Sequence, residues 1–200
     1  NIHRIFNLAN FCEHKGKGGL LIGVDYEKAF DTIEWDFVLG ALKFFEFPQR
    51  FISWISCMYN DIKTRIITNG HLSDSFSPSR GVRQGCPLSP ILFVIAIELL
   101  SLWVKSEDKL SGIQGYIDNY LISQFADDTS FALNNNKGNV EYLFSLLNKF
   151  SDISGLKVNR EKTEILLLGN SSISDVPYLY HQNIKESVKI LGIKDRKSVV

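Results

Sequence analysis

The sequence predicts a mixed α+β fold built around an antiparallel sheet, and three observations carry that expectation. Segments of strand character and segments of helical period follow one another irregularly, without the strict strand–helix alternation of a doubly wound sheet. Two β-rich runs in the second half are joined by a tight turn, which requires an antiparallel pair. A short apolar run, Leu20-Leu21-Ile22-Gly23-Val24, reads as a central strand buried on both faces.

That first strand follows Gly16-Lys17-Gly18-Gly19 and stops abruptly at Asp25, so it delivers a carboxylate to one end of the sheet. From Phe37, the apolar residues Ala41, Phe44 and Phe45 recur at helical spacing until Pro48, and Phe51, Trp54, Ile55, Met58 and Tyr59 repeat the pattern. Two amphipathic helices are expected there. Thr64 to Thr68 and Leu72 to Phe76 flank Asn69-Gly70, the strongest short hairpin signal in the chain. Ser89-Pro90 places a hydroxyl at an N-cap and a proline at N1 of a helix whose apolar residues, Ile91 to Val104, cover nearly the whole circumference. It reads as a central, buried helix. Glu98 and Ser101 keep its apolar run short of the roughly 18 uninterrupted residues of a bilayer span, so no membrane is expected.

Tyr116-Ile117 and Leu121 to Ala126 read as strand, Asp127-Asp128 as a tight turn, and Thr129 to Leu133 as the returning strand. After the polar loop Asn134 to Gly138, the residues Val140, Leu143, Phe144, Leu147 and Phe150 mark another amphipathic helix. Glu164 to Leu168 and Val188 to Leu191 are the last strands expected.

The charges balance, 22 Lys+Arg against 22 Asp+Glu, so any polyanion site must be local rather than a global basic field. A hydrophobic share of 44% excludes a disordered linker. Three scattered cysteines, Cys12, Cys57 and Cys86, lack the close pairs of thiolate metal sites and read as reduced thiols of an intracellular protein. The four histidines have no ligand spacing.

If the strand ending at Asp25 neighbours the hairpin carrying Asp127-Asp128, three carboxylates converge at one sheet edge. Such a site suits magnesium, which takes a few carboxylate oxygens and completes its shell with water and substrate phosphates. An Asp-Asp pair is equally a common structural turn, because both side chains satisfy local backbone groups.

The segment between the acidic positions narrows the choice. Asp25-Tyr26-Glu27-Lys28-Ala29-Phe30-Asp31, then Arg80-Gly81-Val82-Arg83-Gln84-Gly85-Cys86-Pro87-Leu88-Ser89-Pro90, then Phe125-Ala126-Asp127-Asp128 closely resemble the A, B and C motifs of reverse transcriptases. The resemblance is to the non-LTR, LINE-class retrotransposons. Ser154 to Asn159 with Lys162-Thr163-Glu164 resembles motif D, and Leu191-Gly192-Ile193 a remnant of motif E.

The resemblance implies a polymerase palm, an antiparallel sheet with helices packed on one face, over residues 1–193 with incomplete fingers and no thumb, and a poorly ordered tail over 194–200. It implies RNA-directed DNA polymerisation from dNTPs, an RNA template and a DNA primer, with two Mg2+ ions, or Mn2+ as substitute, held by Asp25, Asp127 and Asp128. It further implies that the Tyr26 backbone contacts metal or triphosphate, and that Phe30 screens out the ribose 2′-hydroxyl. Gln84 and Gly85 would support the nucleotide sugar, Lys162 would protonate the leaving pyrophosphate, and Leu191 and Gly192 would sit in the primer grip. Arg80 and Arg83 are expected on template or phosphate, since guanidinium forks match phosphate oxygens. The resemblance also implies partner segments, fingers, thumb and an endonuclease domain, in the parent polypeptide, and work in a cytoplasmic ribonucleoprotein and the nucleus. Each residue has a plainer reading: Phe30 as core packing, the arginines as a solvated basic loop, Lys162 as a surface charge. The whole has one too, a truncated retroelement remnant that keeps the palm as a nucleic-acid-binding fold and catalyses nothing.

Overall fold

In the computed structural model, residues 2–115, 119–190 and 193–196 are described. The chain opens with helix α1 (Ile2–Lys15), enters strand β1 (Gly19–Val24), then runs through helices α2 (Ala29–Thr32), α3 (Trp35–Phe44) and α4 (Gln49–Tyr59). A small hairpin, β2 (Ile67–Thr68) and β3 (His71–Leu72), precedes the long helix α5 (Ser89–Ser106). Strands β4 (Ile113–Gln114), β5 (Asn119–Tyr120), β6 (Ile122–Phe125) and β7 (Asp128–Leu133) follow, then helix α6 (Lys137–Ser154) and strand β8 (Glu164–Leu168). Two short 3₁₀ turns lead to a last hairpin, β9 (Ser187–Ile190) and β10 (Ile193–Arg196).

The central sheet has the order β6-β7-β1-β8 with every neighbour antiparallel. The expected α+β class is therefore the one found. Strand alternation divides β1 between two cores. Leu20, Ile22 and Val24 face the main core beside Phe131 and Leu133, while Leu21 faces the other side with Ala132, Leu166 and Leu168. The main core is closed by α3, α5 and α6, whose Leu42, Phe93 and Phe150 are fully buried, each contributing about 1.5–3 kcal/mol of apolar transfer. The second core is closed by Ile5, Leu8 and Cys12 of α1, a helix absent from the sequence reading although Ile5, Leu8, Ala9 and Cys12 have helical spacing. Because α1 covers only the Leu21–Leu168 half of that face, the half nearest Asp25 stays uncovered by it.

Several expectations are corrected. Helical spacing located α3 and α4 but not the arc each presents to the core. Phe44 and Trp54 are mostly exposed; of the residues expected on α4, Ile55 and Tyr59 are buried, joined by Ile52. The Arg50 guanidinium lies 5.1 Å from the centre of the Trp54 ring, which shelters that apolar surface. Helix α5 is long and apolar enough by length and composition to cross a membrane; it joins the main core, but on one side only: one face packs on α3 and β6, while Ile91 and Val94 are exposed. Its N-cap is Leu88, already in a helical conformation, so Ser89 lies inside the first turn.

At the C-terminus, β10 runs from Ile193 to Arg196, into the 194–200 segment read as a tail. The expected strand at Tyr116-Ile117, the grip residues Leu191 and Gly192, and residues 197–200 lie outside the described residues.

Candidate active site

The antiparallel register assembles the acidic end of the sheet. The last β1–β7 pair is Val24↔Thr129, and the same register carried one residue further sets Asp25 opposite Asp128. Facing residues of an antiparallel pair have Cα atoms about 4.5–5.5 Å apart and point to the same side, here the face that carries Leu21 and Ala132, at the end that α1 leaves uncovered. Strands β6 and β7 close with Phe125↔Asp128, so the turn is Ala126-Asp127, one residue earlier than expected. Asp127 is thus the tip of the hairpin, whereas Asp128 is a strand residue whose direction the sheet fixes. Ala126 takes φ 53°, a left-handed conformation that costs a non-glycine residue roughly 1–2 kcal/mol and that marks the turn as constrained. Asp127 and Asp128 are exposed and Asp25 is half-buried.

A second segment closes against Asp25. The Asn159 N–H donates to the Asp25 carbonyl (2.8 Å) and the Glu27 N–H to the Lys157 carbonyl (2.9 Å), which bridges Tyr26 to Val158. In such a bridge the bonds belong to the flanking residues, so the N–H of Tyr26 itself is directed away from Val158. The following turn presents Lys162, whose Nζ stands 3.9 Å from Asp25 Oδ2. With both groups largely solvated, the pair contributes little stability, about 0–1 kcal/mol, and its significance is the position of the ammonium. Asn183 holds this turn in place. Its buried Nδ2 donates to the carbonyls of Arg160 (2.6 Å) and Thr163 (2.8 Å). Sequence reasoning missed it, because an isolated asparagine carries no signal of what it will cap.

The aromatic residues after Asp25 divide between core and site. The Tyr26 ring is buried beside Thr129, and burial pushes its phenol pKa up, so it stays neutral. Phe30, on α2, is partly buried and stacks on Phe93 of α5 with ring centres 4.6 Å apart and planes at 22°. One side of the ring packs on Phe93, and part of the residue remains accessible.

The Arg80–Pro90 loop docks on α2. The Gly81 N–H donates to the Ile33 carbonyl (2.8 Å), the Val82 N–H to the Phe30 carbonyl (2.7 Å), and the Trp35 indole to the Gly81 carbonyl (2.7 Å). Gly81 has φ +88°, and a Cβ there would stand 2.7 Å from the Asp31 carbonyl oxygen, so only glycine fits. Gly85 also has a positive φ, +81°, but open space around it. Gln84 is exposed and its Nε2 donates to Asp31 Oδ1 (2.9 Å). Arg80 lies 3.7 Å from Glu34, and an Nη of Arg83 reaches the Met58 carbonyl at 3.5 Å. Neither arginine is placed against the carboxylate end by these contacts. Gly81 and Asp31 lie in the sequence motifs, whereas Trp35 lies in none of them, and the clamp the three form was not legible there.

Among the described residues, no three His, Cys, Asp or Glu side chains converge as a ready-made ion cage. The donors present are hard carboxylate oxygens at an open strand end, which fit a cation that keeps water and takes substrate oxygens. A pocket of about 260 Å³ lies at the β6 edge, lined by Arg4, Leu8, Ser101, Lys105, Ser123 and Ser130 among others and by none of the three aspartates.

Comparison with known proteins identifies the family and the fold. The uncharacterized 149 kDa protein of transposon TX1 from Xenopus laevis is 27% identical over 96% of the chain, which spans 15% of that protein. The Pol polyprotein of the type-2 retrotransposable element R2DM from Drosophila melanogaster is 31% identical over 71% of the chain, which spans 13% of it. In fold, apo telomerase from Candida tropicalis superposes with a TM-score of 0.66 at 16% identity, covering 98% of this chain and 34% of that one. The family described as reverse transcriptase (RNA-dependent DNA polymerase) matches residues 1–195. This chain therefore belongs to the reverse transcriptase family, as a domain of the non-LTR retrotransposon type.

Proposed function

We propose that the chain is the catalytic palm of an RNA-directed DNA polymerase, which extends a primer 3′-hydroxyl with dNTPs on an RNA template. The observation that carries this reading is the β1–β7 register, which ends at Val24↔Thr129 and, carried one residue further, sets Asp25 opposite Asp128 with Asp127 on the adjoining turn. Asp25, Asp127 and Asp128 would hold two Mg2+ ions, with Mn2+ as a substitute. Bound there, divalent ions would assist the attacking hydroxyl and neutralise charge on the pyrophosphate. Phosphoryl transfer of this kind needs positioning and electrostatics rather than a protein nucleophile.

The remaining residues then have distinct tasks. The Tyr26 N–H, turned away from Val158, is available to a triphosphate oxygen. Phe30, braced by Phe93, presents a rigid ring where a ribose 2′-hydroxyl would stand. Gln84 and Gly85 supply the loop under the nucleotide sugar. Lys162, anchored at Asp25, is placed to give a proton to the departing pyrophosphate. Arg80 and Arg83 reach template or phosphate only by exchanging their present partners, Glu34 and the Met58 carbonyl. Fingers, thumb and an endonuclease of the parent polypeptide are assigned as partner segments, with Leu191 and Gly192 at the primer grip.

The test is primer extension on RNA by the full-length protein in Mg2+, alongside a template-binding measurement. RNA-templated DNA synthesis supports the reading. Template binding without synthesis overturns it in favour of a non-catalytic remnant.

A further inference from the structure

We propose that Asp31 is a positioning residue for nucleotide selection, acting through Gln84. This rests on the polymerase reading above. The two side chains come from different elements, α2 and the loop before α5, and meet in a 2.9 Å hydrogen bond from Gln84 Nε2 to Asp31 Oδ1. Both are exposed, so burial does not require the contact. An ionised carboxylate only accepts hydrogen bonds, whereas a carboxamide presents a donor on one end and an acceptor on the other. Asp31 therefore fixes which way the Gln84 amide is turned: the NH2 group toward α2 and Oε1 away from it.

The backbone makes the pairing precise. Three bonds already clamp the loop to α2 and its flank: Gly81 N–H to Ile33, Val82 N–H to Phe30, and Trp35 to Gly81. Gly81 lies against the Asp31 backbone closely enough to exclude a side chain. The loop and α2 thus form one body, and Gln84 is the side chain whose rotation the clamp alone leaves open. Phe30 lies on the same short helix as Asp31, one residue away, and its carbonyl accepts from Val82. The ring that would sense the 2′-hydroxyl and the amide that would sense the sugar are consequently referred to one element. Loss of the Asp31 carboxylate frees Gln84 to flip and to swing, which weakens the correct sugar more than the chemical step.

The experiment is a double-mutant cycle on the full-length protein, with Asp31→Ala, Gln84→Ala and the double variant measured for dNTP and rNTP incorporation on a primed RNA template. A hydrogen bond to a charged group at an exposed site corresponds to roughly a tenfold effect. Asp31→Ala is expected to raise the dNTP KM about tenfold with kcat within about twofold, and to add nothing once Gln84 is alanine. Asp31→Asn, which keeps the shape and an acceptor but no longer dictates the flip, should fall between. Equal thermal unfolding of the variants sets aside misfolding as the cause. Additive losses in the cycle, or a fall in kcat at constant KM, overturn the role of Asp31 while leaving the polymerase reading intact. No incorporation by the unaltered protein overturns the polymerase reading and this inference with it.

Discussion

Gly81→Ala is the substitution whose cost the structure defines best. At φ +88° an alanine carries a left-handed penalty of roughly 1–2 kcal/mol. Its methyl would stand 2.7 Å from the Asp31 carbonyl oxygen and 3.0 Å from the adjoining carbonyl carbon and Cα, all backbone atoms that cannot rotate aside. Relief of that overlap costs typically 1–3 kcal/mol and pulls on the bonds from Gly81 to Ile33 and from Trp35 to Gly81. The expected loss is therefore about 2–5 kcal/mol. Gly85→Ala is the internal control, because Gly85 has nearly the same φ, +81°, and nothing within 4 Å of the added methyl. Its loss should stop at about 1–2 kcal/mol. Urea unfolding with an unchanged m-value reads both. Equal losses for the two alanines would refute the claim that the loop is locked on α2 by close backbone approach.

Three further outcomes follow from the packing and the thiols. Phe93→Ala, at a fully buried ring, should cost about 3–5 kcal/mol in urea unfolding, and by removing the brace under Phe30 it should raise the ratio of rNTP to dNTP incorporation. Asn183→Ala strands the carbonyls of Arg160 and Thr163, so a loss of about 1–3 kcal/mol is expected, together with slower incorporation as the turn carrying Lys162 loosens. The Cys86 thiol is held below its ordinary pKa, chiefly by a backbone hydrogen bond from Leu88, whereas burial raises that of Cys12. A lowered pKa extends the thiolate to lower pH, so iodoacetamide near pH 7 should modify Cys86 well before Cys12 by mass spectrometry; equal rates would contradict the assignment.

What was legible in the sequence had local causes. The apolar run ending at Asp25 announced a strand buried on both faces, and the β1 register agrees residue by residue. The Asn69-Gly70 signal gave the small hairpin, since Asn69 and Gly70 both take positive φ there. What was hidden depended on tertiary choice. Phe44 and Trp54 satisfy the helical period as well as Ile52 and Ile55 do, and only the position of the neighbouring layers decides which arc is buried. The turn moved by one residue because Asp128 pairs with Phe125, leaving the strained position to Ala126, where sequence preference would have put an aspartate. In the site, the motifs named Asp25, Gln84 and Lys162. Only the folded chain tied Lys162 to Asp25, Gln84 to Asp31, and Asn183 to the turn that carries Lys162, because those contacts join segments far apart in sequence.

The central claim is that the acidic end of the β1–β7 pair is where DNA is made. The most direct measurement is single-turnover dNTP addition on a primed RNA template by the full-length protein, with Asp127→Ala compared against Asp108→Asn, an exposed carboxylate away from that end. Asp108→Asn should match the unaltered protein, and Asp127→Ala should lose incorporation by at least about a thousandfold, as for loss of a principal electrostatic group. Incorporation that survives in Asp127→Ala would contradict that claim.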